Sequence, residues 1–296
     1  MSIINTLRFI MEHPLNRKNK SAALARFFKW QVGSRLVPGP VAVQWIGNAR
    51  MLVRRGDKGF TQNLYCGLRD VAEMTYVLHV MSDKDLFVDI GANLGAYTVL
   101  ACAVKQARGF CFEPVPSTFA RLTENLFLNR LESKVTPYNL GLADSDGELV
   151  FTAGEDCENH VLRPGDKNGN SLTVPVRTLD SMLAGESPSL IKMDVEGFET
   201  SVLKGASKVL GNPSLHSVLM ELNGLGLRYG FDEEWIVNHM RDFGFSVFEY
   251  DPFARSLSPV DRKRSDNSNC IFIRGAERIA EVLKNAPKIQ IGQQWI

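Results

Sequence analysis

Residues 87–98 read FVDIGANLGAYT: Phe87, Val88 and Ile90 flank Asp89, and Gly91 and Gly95 follow at a spacing of four. Tyr97, Val99, Leu100, Ala103 and Val104 then recur at helical spacing. An apolar run, a glycine turn and an amphipathic stretch in that order predict a buried strand, a tight turn and a helix. That is the opening unit of an α/β ligand site. Glycine lets the backbone turn sharply and approach a ligand with no Cβ in the way.

The local pattern narrows the ligand. A dinucleotide site calls for G-x-G-x-x-G, with backbone N–H groups at the helix start free to hold a pyrophosphate. Here the pattern is D-x-G-x-x-x-G, with a carboxylate immediately before the turn. An acid suits a cation better than a diphosphate. S-adenosylmethionine carries an ammonium and a sulfonium and no phosphate, so a methyl-donor site is the favoured reading. A dinucleotide site and an ordinary buried strand and turn stay open as alternatives at this point.

Outward from this stretch, strand and helix signals alternate. GFCFE (109–113), KVTPYNL (134–140), LIKMD (190–194), SVLMEL (217–222), FSVFEY (245–250) and CIFIR (270–274) bring the strands to seven. Helical runs lie between them, one of them opened by Ser117 as a cap. The expected fold is a doubly wound, mostly parallel α/β sheet with helices on both faces. GELVFTA (147–153) and SLTVPVRTL (171–179) predict added strands around a polar loop, 154–170. A second long loop, 251–269, carries Asp261-Arg262-Lys263-Arg264. Upstream, VAVQWI (41–46) and RMLVR (50–54) predict a hairpin, and residues 69–81 a helix on which His79 has a structural role. The expected organisation is a helical arm and hairpin over 1–60, the α/β domain over 61–275, and a C-terminal helix and tail over 276–296.

Net charge over the 296 residues is +1, which argues against a general nucleic-acid binder. Residues 1–36 nevertheless hold seven Lys/Arg and one acid, a local +6, leaving −5 for the rest. In this arm Leu24, Phe27, Phe28 and Val32 form an apolar stripe after Ser21, a candidate cap, with Arg17, Lys18, Lys20, Arg26 and Lys29 interleaved. The expectation is an amphipathic arm packed on the main domain or on a second subunit of a homodimer. A peripheral contact with a membrane surface or an acidic partner is the alternative. No apolar run is long enough to span a bilayer, and no secretory signal is recognisable. The five cysteines, Cys66, Cys102, Cys111, Cys157 and Cys270, are scattered and fit reduced thiols. A cytoplasmic protein is expected, at the inner face of the membrane if the arm docks there.

In doubly wound sheets ligands bind at the carboxyl ends of the strands, so residues there carry the chemistry. Glu113 ends the second strand 22 residues after Gly91, close to the spacing at which an acid meets ribose hydroxyls. Asn139 and the turn 141–144 sit where an adenine edge would be read. Asp194 ends the fourth strand, Glu196 opens the next helix, and Glu221 ends the fifth. These three are candidates for proton transfer or acceptor binding. They are also oxygen ligands for a metal-assisted variant, although the expectation is no metal. Lys192, unusual in an apolar strand, is expected to pair with Glu113 or another acid. His160, in the polar loop, is a candidate base.

As an ordered set, FVDIGANLGAYT (87–98), CFEPVPSTFARLTENLFLN (111–129), PVRTLDSML (175–183), LIKMDVEGFETSVLKGA (190–206) and LMEL (219–222) resemble the FkbM family of S-adenosylmethionine-dependent methyltransferases. The resemblance implies a class I Rossmann-like sheet of seven strands with a reversed last hairpin. It implies O-methylation of a sugar, glycan, polyketide or other secondary-metabolite hydroxyl. It places Asp89, Gly91, Asn93 and Gly95 at the methionine end of the donor, Tyr97 and Thr98 closing the loop, and Glu113 at the ribose. No N/D-P-P-Y/F/W box ends the fourth strand, which favours oxygen over an amino group as acceptor.

Overall fold

A computed structural model describes residues 3–154, 159–163, 165–166, 170–260 and 269–296. Cys157 and the run Asp261-Arg262-Lys263-Arg264 lie outside the described residues.

The central sheet is built on β3 (Leu86–Ile90), β4 (Arg108–Phe112), β5 (Val135–Tyr138), β9 (Leu190–Met193), β10 (Ser217–Glu221), β11 (Ser246–Asp251), β12 (Ser256–Pro259) and β13 (Asn269–Ile273). Their order is β12-β11-β13-β10-β9-β3-β4-β5. Pairings from β10 through β5 are parallel, and β13 runs antiparallel between β10 and β11. All seven expected strands are present. The eighth, β12, pairs with β11 inside the segment expected to be loop. Its sequence, SLSP, has no apolar alternation, so its strand character comes from the open edge of β11 rather than from its own pattern. Pro259, which lacks an N–H, is tolerated at that edge.

Burial follows the pleat. Phe87, Leu190 and Leu219 enter one core layer with Tyr76, Val77 and Leu78 of α4 (Val71–Val80). Val88, Ile191 and Val218 enter the other, with Val202 and Leu203 of α7 (Glu199–Lys204) and Ile236 and Met240 of α8 (Glu233–Asp242). A parallel sheet covered on both faces needs such continuous apolar runs. His79 is buried beside Tyr250, its Nδ1 2.6 Å from the hydroxyl, in the structural role expected.

Three further pieces surround this sheet. The hairpin β1 (Val41–Gln44) and β2 (Arg50–Val53) forms as expected, with its β2 edge held by Asn125 and Asn129. The added strands β7 (Gly147–Thr152) and β8 (Ser171–Arg177) pair antiparallel and with β6 (Gly141–Leu142) make a separate three-stranded sheet. The arm consists of α1 (Ile3–Glu12) and α2 (Lys20–Leu36), broken at Pro14, packed on α3 (Lys58–Cys66), a helix not expected from the apolar periodicity. Its cap is Asn19, which accepts from the Ala22 N–H; Ser21 lies inside the first turn. Likewise Ser117 lies within α6 (Pro116–Leu128), whose start is set by Pro116 at the first helical position. Among the described residues no helix is long and apolar enough to cross a membrane.

Candidate active site

A cavity of about 330 Å³ opens at the carboxyl ends of β3, β4, β9 and β10. Asp89, Gly91, Asn93, Tyr97, Glu113, Asp194, Glu196 and Glu221 line it. The topology therefore gathers residues scattered over more than 130 positions of sequence onto one edge.

The glycine turn is clamped from two sides. The N–H groups of Gly91 and Ala92 both donate to the Phe112 carbonyl at 3.0 Å, tying the turn to β4. Gly91 has φ +73°, and a Cβ there would lie 1.9 Å from the Asp194 carbonyl oxygen, so the turn rests directly on the end of β9. Asp89 accepts from the Thr98 hydroxyl at 2.5 Å and its N–H at 3.0 Å. Thr98 is thus a fastening behind the wall, and Asp89 spends one oxygen on holding it. Glu113 accepts the Asn93 N–H on one oxygen and the Val115 N–H on the other, each at 3.0 Å.

Four expected site residues are placed differently. Gly95 and Thr98 are not among the lining residues; they shape the start of α5 (Ala96–Val99). Asn139 donates to the carbonyls of Glu113 (2.8 Å) and Pro114 (3.0 Å), pinning the turn from outside, while Leu140, Gly141 and Leu142 form the wall. His160 also lies off the wall. Its neighbours Asn159 and Val161 line the cavity, and in an extended segment alternate side chains face opposite ways. Its backbone pairs with Thr152 instead.

The acidic end is built around one buried cation. The Lys192 ammonium is fully enclosed, 3.6 Å from an Asp194 oxygen, 2.9 Å from Asn269 Oδ1 and over the ring of Tyr97. It pairs with Asp194, not with Glu113. Burial works against its charge, but Asp194 and Glu221 outweigh that, so its pKa lies above the usual value. Burial works to raise Asp194 too. The neighbouring ammonium and a hydrogen bond from Glu221 outweigh it and hold Asp194 below the usual carboxylate range. Glu221 moves the other way, pushed up to about 9 by burial and by the charge of Asp194. Near neutral pH the two carboxyl groups therefore share one proton. The Asp194 side chain keeps 40% of its surface exposed. Glu196 brings a carboxylate oxygen within 4.8 Å of both.

Sequence reasoning missed several residues here. Glu199, buried in the quoted DVEGFE run, accepts from the N–H groups of Val195 and Gly197 and so shapes the turn that presents Asp194 and Glu196. Its signal was an acid leading an apolar helical stripe. Arg69 and Asp70 at the start of α4, and Asn63 on α3, also line the cavity, on segments that carried no recognisable motif. Asn63 is buried, with Nδ2 lacking a protein partner, and Asn93 Oδ1 lacks one too. One orphaned donor and one orphaned acceptor on the same cavity suit a ligand bearing both a carboxylate and an ammonium, as the methionine part of the donor does.

Burial raises Asp89 to about 6, and Glu113 and Glu199 to about 7. An acid with a raised folded pKa contributes stability that is complete below its unfolded pKa and lost as pH rises through the folded one. His79 and His216, lowered to about 4 by burial, oppose this trend only up to about pH 6.5. The melting temperature is therefore expected to fall by several degrees from about pH 6.5 to about pH 9. Calorimetry across that window checks it; a flat or rising profile contradicts the assigned burial.

The Methyltransferase FkbM domain matches residues 89–256, more than half of the chain. "Hexuronic acid methyltransferase AglP" of Haloferax volcanii is 33% identical over 160 residues, covering 53% of this chain and 63% of its own. "Methyltransferase 1" of Beauveria bassiana is 30% identical over 148 residues, 42% of this chain and 59% of its own. The chain spans less than two thirds of the length of these curated relatives. Among solved structures, TYW2 of P. horikoshii in complex with MeSAdo aligns with a TM-score of 0.44 at 14% identity, covering 80% of this chain and 70% of that one. The match, which spans the glycine turn, the second-strand acid and the acidic edge, makes the chain a member of the FkbM methyltransferase family.

Proposed function

We propose that this protein methylates an oxygen of a sugar, glycan or secondary-metabolite acceptor. One observation carries the reading: the Asp194 carboxylate, 3.6 Å from the buried Lys192 ammonium and within 4.8 Å of Glu196 and Glu221, opens onto the cavity beside the donor-type glycine turn. A carboxylate so placed accepts the proton of an acceptor hydroxyl, while Glu221 and Glu196 orient the hydroxyls beside it. The relative named for a hexuronic acid supports a sugar acceptor.

S-adenosylmethionine supplies a methyl group on a sulfonium, a leaving group that needs no further activation. The protein's tasks are to hold the donor and orient the acceptor. Asn93 Oδ1 and Asn63 Nδ2 suit the methionine ammonium and carboxylate, the Gly91 turn gives close backbone approach, and Glu113 suits the ribose hydroxyls. His160 has no part in this scheme.

Calorimetric titration with S-adenosylmethionine tests the donor half. Glu113→Ala removes the ribose acceptor together with its hold on the Asn93 and Val115 N–H groups, which is expected to cost about tenfold or more in affinity. Parent protein that takes up no donor, or a variant that binds like the parent, would sink the assignment. Transfer of labelled methyl to free and glycosidically linked hexoses and hexuronates tests the acceptor half, with the label expected on oxygen.

A further inference from the structure

The apolar residues of α2 do not form one stripe. Ala23, Phe27, Trp30 and Ser34 face inward, where Phe27 packs edge-on against Tyr65 at 5.2 Å and Arg26 bonds the Tyr65 carbonyl. Phe28, Val32 and Leu36, spaced by four, lie on the opposite face and are 57%, 59% and 76% exposed. At 100° per residue Lys29 falls on one flank of this stripe and Arg35 on the other. Ile3 and Ile4 of α1 add two more exposed apolar side chains, at 70% and 77%. Arg17, Lys18 and Lys20 at the junction of the two helices are exposed as well. The arm is already anchored through its inner face, so its outer face is surplus to folding.

A helix that shows solvent an apolar stripe edged by cations has the pattern of one lying in a membrane interface. Charge decides between the occupants. Residues 1–36 carry +6 and the remaining chain −5. A second copy docked stripe to stripe would bring two such arms together, flank against flank. An anionic lipid surface is complementary to those flanks and accepts the Phe, Val and Leu side chains between them. We propose that the outer face of α2 docks this protein on an anionic phospholipid bilayer, with the acidic remainder of the molecule directed away. This inference rests on the arm alone and stands apart from the methyl-transfer reading.

Flotation with phosphatidylcholine vesicles, with and without about a third phosphatidylglycerol, tests it. The full chain is expected to float with the anionic vesicles, to stay behind with the neutral ones, and to be released by 0.5 M salt, a concentration at which the screening length falls to about 4 Å. Val32→Glu/Leu36→Glu and Lys29→Glu/Arg35→Glu should each weaken binding about tenfold or more. Because these positions are exposed, melting temperature and donor binding should match the parent, which separates lost docking from lost folding. Parent protein that fails to float overturns the proposal, as does apolar-face substitution without effect. Light scattering that shows a dimer abolished by Val32→Glu/Leu36→Glu, with flotation intact, would also overturn it by giving the face to a second copy.

Discussion

Asp194→Asn is expected to lower kcat about 10²- to 10⁴-fold, the range for loss of a positioned general base. Donor affinity should change far less, because the groups assigned to the donor lie on α3, on the glycine turn and just beyond β4. Asparagine keeps the shape of the residue but cannot take up the acceptor's proton, and it leaves Lys192 without its nearest carboxylate. Quench-flow with saturating donor separates this from a binding defect. Glu221→Gln provides the contrast. An amide keeps a donor toward Asp194, so the loss should be smaller. As pH rises through about 9 the parent loses the proton that Glu221 and Asp194 share, replacing a hydrogen bond by repulsion, so activity falls on the alkaline side. That limb should be missing from the Glu221→Gln profile. An Asp194→Asn enzyme with near-parental kcat would remove Asp194 from the chemistry and leave only the acceptor-binding role.

Gly91→Ala should be the most damaging change of a single carbon in the chain. A residue with φ +73° already strains any side chain by about 1–2 kcal/mol. Here the new Cβ would also sit 1.9 Å from the Asp194 carbonyl oxygen, a backbone atom that moves only if the end of β9 moves. The total cost should reach about 3 kcal/mol or more. Gly230 offers a matched control. Its φ is also +73°, but nothing lies within 4 Å of its added Cβ, so Gly230→Ala isolates the conformational strain. Urea midpoints of the two variants should differ clearly, and only Gly91→Ala should lose donor binding. Equal midpoints would mean that the turn does not rest on β9 as described.

The strands that position the site were legible because a parallel sheet covered on both faces demands uninterrupted apolar runs, and LFVDI, LIKM and SVLME supply them. Asp89, Glu113, Asp194 and Glu221 followed, since strand ends locate a site before any side chain is placed. What stayed hidden depended on partners distant in sequence. SLSP becomes strand only because β11 leaves an edge open. Asn139 faces backbone carbonyls rather than the cavity, and its neighbours Leu140 and Gly141 take the wall. The α2 stripe looked continuous because Phe27 and Phe28 are adjacent. A helix turns 100° between them, enough to send one inward and the other out.

The bond between Lys192 and Asn269 spans 77 positions, from the middle of the parallel sheet to the first residue of the reversed strand. The ammonium that keeps Asp194 charged is thus secured by a part of the chain synthesised well after it. On the ribosome, the donor pocket's glycine turn and second-strand acid emerge long before this tether does. The reacting edge is therefore complete only once the reversed strand has joined the sheet.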